Sequence, residues 1–266
     1  MAERRQTVLP PISDPSVLSE IDRLAHRYVD ARGLGMEVID RIGGGGEQLV
    51  QRLPGFVRSR IDSAVAAALG QTFRLASASR GVLRDRGDWF NRFSTTAAGA
   101  IGGAAGLTGA VLELPITVTM LLRAILEIAE EHGFDPSSDE VQTEALRIFA
   151  AGGPLSEDDG TDTGLLAARL TVNGRTVQAL ITALAPQIAT RLLTKVGTQA
   201  VPVLGAFAGA SINYTFARYY QDMARVQFGL LRMSQETGLP REALVERLQT
   251  RIETLEQKPS AAARRA

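Results

Sequence analysis

Two long segments combine apolar side chains with closely spaced glycines, and they constrain the fold more than any other feature of the sequence. Residues 97–122 carry Glu113 as their only charge, and residues 196–217 carry none. Glycines four residues apart, such as Gly99 and Gly103, leave a groove on a helix into which a second helix can pack closely. The pattern predicts two central glycine-rich apolar helices or helical hairpins.

Helical spacing of apolar residues dominates the rest of the chain, and no stretch alternates with a period of two. The clearest stripes at three- and four-residue spacing are Leu18, Ile21, Ala25 and Tyr28; Val57, Ile61, Val65, Leu69 and Phe73; and Leu244, Leu248, Ile252 and Leu255. We therefore predict an all-α, single-domain helical bundle over residues 14–257. Residues 1–13 are predicted to form a flexible arm, and residues 258–266 a flexible basic tail.

Local signals predict where several helices begin and end. Asp14 precedes Pro15, a combination typical of a helix start. The run 137–140 (Ser-Ser-Asp-Glu) has the form of a capping box, and Gly133 is predicted to end the preceding helix. The last helix is predicted to begin near Pro240.

The polar and proline residues inside the glycine-rich segments predict interruptions of the two helices. Glu113 and Pro115 divide the first segment, while Pro202 and Asn213 divide the second. Three interpretations remain open: a buried core of a soluble bundle, contact with a membrane, and the lining of a ligand pocket. The interruptions favour an association with the membrane surface over a simple membrane span.

Composition excludes several classes of function. The 29 basic and 29 acidic side chains balance, so no global field favours nucleic acid, and we predict no nucleic-acid partner. The chain has no cysteine, which excludes disulfides and thiolate chemistry, and two histidines cannot form a multi-histidine metal site. We expect neither metal nor cofactor. The chain begins without the pattern of a signal peptide, and a cytoplasmic protein is predicted.

Several short stretches, in order, resemble the EcsC protein family. They are Glu113-Leu114-Pro115 after the glycine-rich run, Leu122 to Ala129, Gly133-Phe134-Asp135-Pro136, Val201 to Gly205, and Ile212-Asn213-Tyr214. The resemblance covers roughly residues 20–235, and the acidic loop 152–163 has no counterpart in the family pattern. It implies a helical fold and carries no assigned biochemical activity.

Five polar residues form the candidate site at which the two glycine-rich segments would meet. They are Glu113, Arg123, Glu127, Asn213 and Tyr214. A carboxylate among apolar neighbours has a raised pKa unless it is paired, which is why Glu113 is the central residue of this prediction. The two roles considered are a buried polar cluster at the helix interruptions and a site for a small apolar ligand.

A basic stretch with aromatic residues is the candidate membrane-surface element: Arg80, Arg84, Arg86, Trp89 and Phe90. A solvent-exposed helix face with Trp89 packed inward is the alternative.

His132 is predicted to make a contact at a helix C-terminus rather than to bind a metal. Together these features predict a non-enzymatic protein that associates peripherally with the cytoplasmic membrane or a membrane complex. The alternative is a soluble helical protein that binds or acts on a small apolar ligand between the two segments.

Overall fold

The computed structural model describes residues 10–42, 54–78, 106–151, 176–199 and 205–257. Within them, side chains are described for residues 10–33, 54–77, 114–150, 176–190 and 214–257. These residues form seven helices and no strand, which confirms the all-α prediction. The helices are α1 (Pro15–Ile42), α2 (Gly55–Ala78), α3 (Gly106–Glu131), α4 (Asp139–Ala151), α5 (Val177–Gln199), α6 (Gly205–Thr237) and α7 (Arg241–Glu256).

The predicted helix boundaries are confirmed where the structure describes them. The Asp14 carboxylate accepts a hydrogen bond from the Ser16 amide at 2.8 Å, at the start of α1. The Ser138 hydroxyl, rather than that of Ser137 as the capping-box pattern predicts, accepts one from the Val141 amide at 3.3 Å and caps α4. After α3, Gly133 has φ +86°, a conformation that glycine adopts without steric cost.

Contacts between helix ends define the direction of each helix. Gln142, near the start of α4, donates a hydrogen bond to Ser77 at the end of α2. Phe134, just after α3, contacts Phe228 in the C-terminal part of α6 with ring centroids 5.6 Å apart. Helices α2, α3 and α6 therefore end at the same end of the bundle, which we call the turn end because the α3–α4 and α6–α7 turns lie there. The opposite end, where these three helices begin, is the amino end.

Helix α6 lies at the centre of the fold and packs against α1, α3, α4 and α7. Helix α1 runs antiparallel to it, since Leu24 lies beside Gly229 and Arg27 beside Asp222. Helix α2 packs between α3 and α5. The predicted stripes are buried: Ile21 in α1, Val65 in α2 and Leu248 in α7 are each at most 2% exposed. Burial of these stripes is the main force that holds the bundle together.

The interruptions predicted at Pro115 and Asn213 are wrong. Helix α3 continues through Pro115, and α6 runs without a break from Gly205 past Asn213. A proline costs a helix one backbone hydrogen bond, but Leu114 and Val118 on either side are buried in the core. Tertiary packing thus outweighs the local cost. Residues 97–105 and Pro202 lie outside the described part of the chain.

Candidate functional site

The structure describes part of the predicted polar cluster. Glu113 lies in α3 and Asn213 in α6, but neither side chain is among those described. Arg123 and Glu127 form a partly buried ion pair on α3, with 4.0 Å between Arg123 Nη2 and Glu127 Oε1. The Tyr214 hydroxyl, in α6, accepts a hydrogen bond from Arg218 Nη1 at 3.2 Å. A ligand site at Glu113 and Asn213 stays a prediction.

The predicted membrane-surface stretch, from Arg80 to Phe90 with Trp89, lies outside the described residues. The structure instead describes three exposed side chains with large apolar surfaces, of which the sequence analysis had named only Tyr214, as a member of the polar cluster. Phe56 is 69% exposed, and Ile116 and Tyr214 are about half-exposed.

These three exposed side chains lie toward the amino end. Phe56 is in the first turn of α2, about six turns before Ser77 at the turn end. Tyr214 precedes Phe228 by about four turns, and Ile116 precedes the end of α3 by a similar distance. Three separate helices therefore each expose an apolar side chain in the half of the bundle that contains the described parts of the glycine-rich segments.

The turn end exposes one large apolar side chain among the described residues, Leu75, which is 54% exposed near the end of α2. The same helix thus carries an exposed apolar residue at each end, Phe56 and Leu75. No helix in the described ranges is long and apolar enough to cross a membrane.

A group of arginines surrounds one buried carboxylate between α1 and α6. Asp222 Oδ1 lies 2.6 Å from Arg27 Nη1 and 3.6 Å from Arg225 Nη1, and Asp222 Oδ2 lies 3.3 Å from Arg218 Nε. The Asp222 side chain is 5% exposed, whereas those of the arginines are 30–48% exposed. We call these four residues the Asp222 cluster.

The Asp222 cluster is locally cationic in a chain that is neutral overall. Within the described part of the chain, the three arginines have no ion-pair partner other than Asp222, so two positive charges are uncompensated. The pKa of Arg218 is raised by its hydrogen bond with Tyr214 and then by Asp222. This arrangement can attract an anion, because guanidinium groups bind phosphate and carboxylate oxygens through paired N–H donors.

A second buried carboxylate joins α4, α6 and α7 near the turn end. Glu144 accepts hydrogen bonds from Arg147 at 3.1 Å and from Arg241 at 2.8 Å. Arg241 also donates to Gln227 Oε1 at 2.7 Å. We call these residues the Glu144 cluster. Its arginine side chains are only 18% and 22% exposed, so this cluster mainly fastens α7 to the rest of the bundle.

His132 makes the predicted contact at the C-terminus of α3. Its Nδ1 lies 2.8 Å from the Ile128 carbonyl oxygen and donates a hydrogen bond to it. Burial lowers the pKa of His132, and the positive charge of Arg232 contributes in the same direction. No group of three His, Cys, Asp or Glu side chains in the described ranges could hold a metal ion.

The sequence contained part of the signal for the Asp222 cluster. Arg218, Asp222 and Arg225 stand four and three residues apart, which places them on one face of a helix. Arg27 precedes Asp222 by 195 residues, so its contribution depends on the antiparallel packing of α1 on α6. The spacing of residues within α6 therefore predicts neither the approach of Arg27 nor the burial of Asp222.

The family model described as "EcsC protein family" matches residues 60–232, which begin in α2 and end in α6. This match covers more than half of the chain and confirms the resemblance inferred from the motifs. No curated protein and no solved structure matches the chain.

Proposed function

We propose that this chain, which belongs to the EcsC protein family, is a non-enzymatic helical protein that binds peripherally to the cytoplasmic membrane. The amino end of the bundle is the binding surface in this proposal. The apolar side chains there insert among lipid headgroups, while the body of the bundle stays in the cytoplasm.

The observation that carries the proposal is the exposure of Phe56, Ile116 and Tyr214 on three helices toward the same end. One exposed apolar residue is ordinary on a protein surface. Three that share one end, one of them a tyrosine whose hydroxyl accepts a hydrogen bond from an arginine, are typical of an interfacial membrane contact.

Charge selects a membrane with anionic lipids as the partner. Arg218 lies one turn beyond Tyr214, so its guanidinium would reach the phosphate level when the Tyr214 ring is at the headgroup boundary. An arginine near an anionic surface contributes about 1 kcal/mol to binding. Since the net charge of the chain is zero, the local positive charge of the Asp222 cluster would orient the protein at the membrane rather than attract it from a distance.

Vesicle flotation tests the proposal. The full-length protein should float with anionic vesicles at low salt, bind less at high salt, and bind zwitterionic vesicles more weakly. Full burial of a phenylalanine contributes about 1.5–3 kcal/mol, so the Phe56→Ser variant should partition about tenfold more weakly.

Leu75→Ser is the matched control, because Leu75 is similarly exposed on the same helix but at the turn end. It should bind vesicles as well as the unchanged protein does. If the unchanged protein stays wholly soluble at low salt and does not float, the proposal is wrong. If Leu75→Ser weakens binding as much as Phe56→Ser, the assignment to the amino end is wrong.

A further inference from the structure

We propose that the Asp222 cluster is a binding site for a phosphomonoester group, and that lipids with such a headgroup are the preferred membrane ligand. This inference rests on the proposed membrane function for its lipid source. The chemistry of the site, in which guanidinium groups beside Asp222 donate to one phosphate, is independent of that source.

The charge of the cluster matches that of a phosphomonoester. Counting only the described residues, two positive charges of the cluster are uncompensated, and a phosphomonoester near neutral pH carries about two negative charges. A phosphodiester headgroup carries only one charge at its phosphate. The cluster should therefore distinguish lipids by the valence of the phosphate and not only by total surface charge.

In the Asp222 cluster, the carboxylate is buried and the arginine side chains are partly exposed to solvent. Asp222 is 5% exposed, while the side chains of Arg218 and Arg225 are 48% and 32% exposed. An approaching anion would meet guanidinium edges before the carboxylate. Asp222 acts as a positioning residue, since it holds three like charges near each other that would otherwise repel.

Some N–H groups of Arg218 and Arg225 remain available as hydrogen-bond donors after the described contacts are made. Arg218 uses Nε toward Asp222 and Nη1 toward Tyr214. Among the described residues, neither Arg218 Nη2 nor any side-chain nitrogen of Arg225 donates a hydrogen bond, and Arg225 Nη1 forms an ion pair with Asp222 Oδ1 at 3.6 Å. These groups can donate to phosphate oxygens without breaking the hydrogen bond of Arg27, which joins α1 to α6.

Two probes test the site: inorganic phosphate followed by NMR, and vesicles containing either phosphatidate or phosphatidylserine, adjusted to the same zeta potential. We expect saturable shifts of arginine side-chain signals with phosphate and a several-fold preference for phosphatidate vesicles. Arg225→Gln should weaken phosphatidate binding at least about fivefold and remove the preference.

Arg232→Gln is the matched control, because Arg232 is on the same helix, 40% exposed and also in an ion pair. It should leave the preference intact and change affinity less than about twofold. Arg225→Lys keeps the charge without the planar pair of donors and should give an intermediate preference. Thermal unfolding of each variant shows whether the fold is retained.

The outcomes separate the two proposals. Equal binding of both lipids, or equal losses in Arg225→Gln and Arg232→Gln, overturns the phosphomonoester site and leaves peripheral membrane binding intact. Saturable phosphate binding that Arg225→Gln removes, with no vesicle binding at all, supports the site with a soluble ligand and overturns the membrane function. No response to phosphate and no vesicle binding overturns both.

Discussion

The two ends of the bundle use the same kinds of residue for different purposes. At the turn end, the arginines of the Glu144 cluster are mostly buried, and Phe134 packs on Phe228. Toward the amino end, the Arg218 side chain of the Asp222 cluster is 48% exposed, and the Phe56 side chain is 69% exposed. With the exception of Leu75, the turn end thus pairs or packs these groups within the chain, whereas the amino end leaves more of them available to a partner.

We expect substitutions at the turn end to lower the free energy of unfolding, and substitutions at the amino end to weaken membrane binding. The largest loss of stability should come from Glu144→Ala. Breaking a buried ion pair by removing one partner costs about 3 kcal/mol, because Arg147 and Arg241 lose their shared acceptor. Denaturant unfolding measures the loss. Glu246→Ala, which removes an exposed carboxylate from α7, should change the free energy of unfolding by less than about 0.5 kcal/mol.

Gly133→Ala should cause the next largest loss, about 1.5 kcal/mol, since a side chain at φ +86° is strained. Thermal or urea unfolding measures it. The control is Gly55→Ala, at the start of α2, where an added Cβ meets nothing within 4 Å and φ is not positive. A loss in Gly55→Ala as large as that in Gly133→Ala would contradict the explanation by backbone strain.

Gly229→Ala should destabilise the protein by about 1 kcal/mol, because the new Cβ would lie 3.1 Å from Leu24 Cδ2. The gain in helix propensity offsets part of the overpacking cost. The cost should disappear in a Leu24→Ala background, as a double-mutant cycle would show. In Gly33→Ala, where the added Cβ meets nothing within 4 Å, the propensity gain should appear alone as a small stabilisation.

The smallest effect on stability should be the pH dependence due to His132. Its pKa in the folded protein is lowered from the ordinary value of 6.5, so the unfolded chain binds a proton more readily. Stability should therefore fall as the pH decreases from above 6.5 through the lowered pKa. His132→Gln should weaken this dependence in urea unfolding between pH 8 and pH 5, a range chosen around that ordinary value. A steeper dependence in the variant would contradict the assigned direction.

Local pattern predicted the helices better than it predicted the site. The stripe from Val57 to Phe73 lies on one continuous helix, and the last helix begins one residue after Pro240, because both follow from short-range spacing. The break expected at Pro115 was wrong because packing of α3 outweighs the local cost of proline. Helix period alone places Phe56 beside the buried stripe of α2, but its exposure depends on which helices cover the amino end.

The Asp222 cluster shows a second limit of sequence analysis. Three of its members are neighbours on α6, but the burial of Asp222 and the approach of Arg27 arise from the packing of α1. The predicted site at Glu113 and Asn213, in contrast, was inferred only from the presence of polar residues in apolar segments. Such a pattern identifies an unusual residue, but it does not show which other residues lie beside it, because that depends on how the helices pack.

Fluorescent labelling at single sites tests whether the amino end contacts the membrane while the turn end does not. The chain has no cysteine, so Phe56→Cys and Leu75→Cys each carry a single thiol that can be labelled with an environment-sensitive fluorophore. On addition of anionic vesicles, the label at position 56 should shift to the blue and become shielded from an aqueous quencher, while the label at position 75 should not change. A shift at position 75 with none at position 56 would contradict the account.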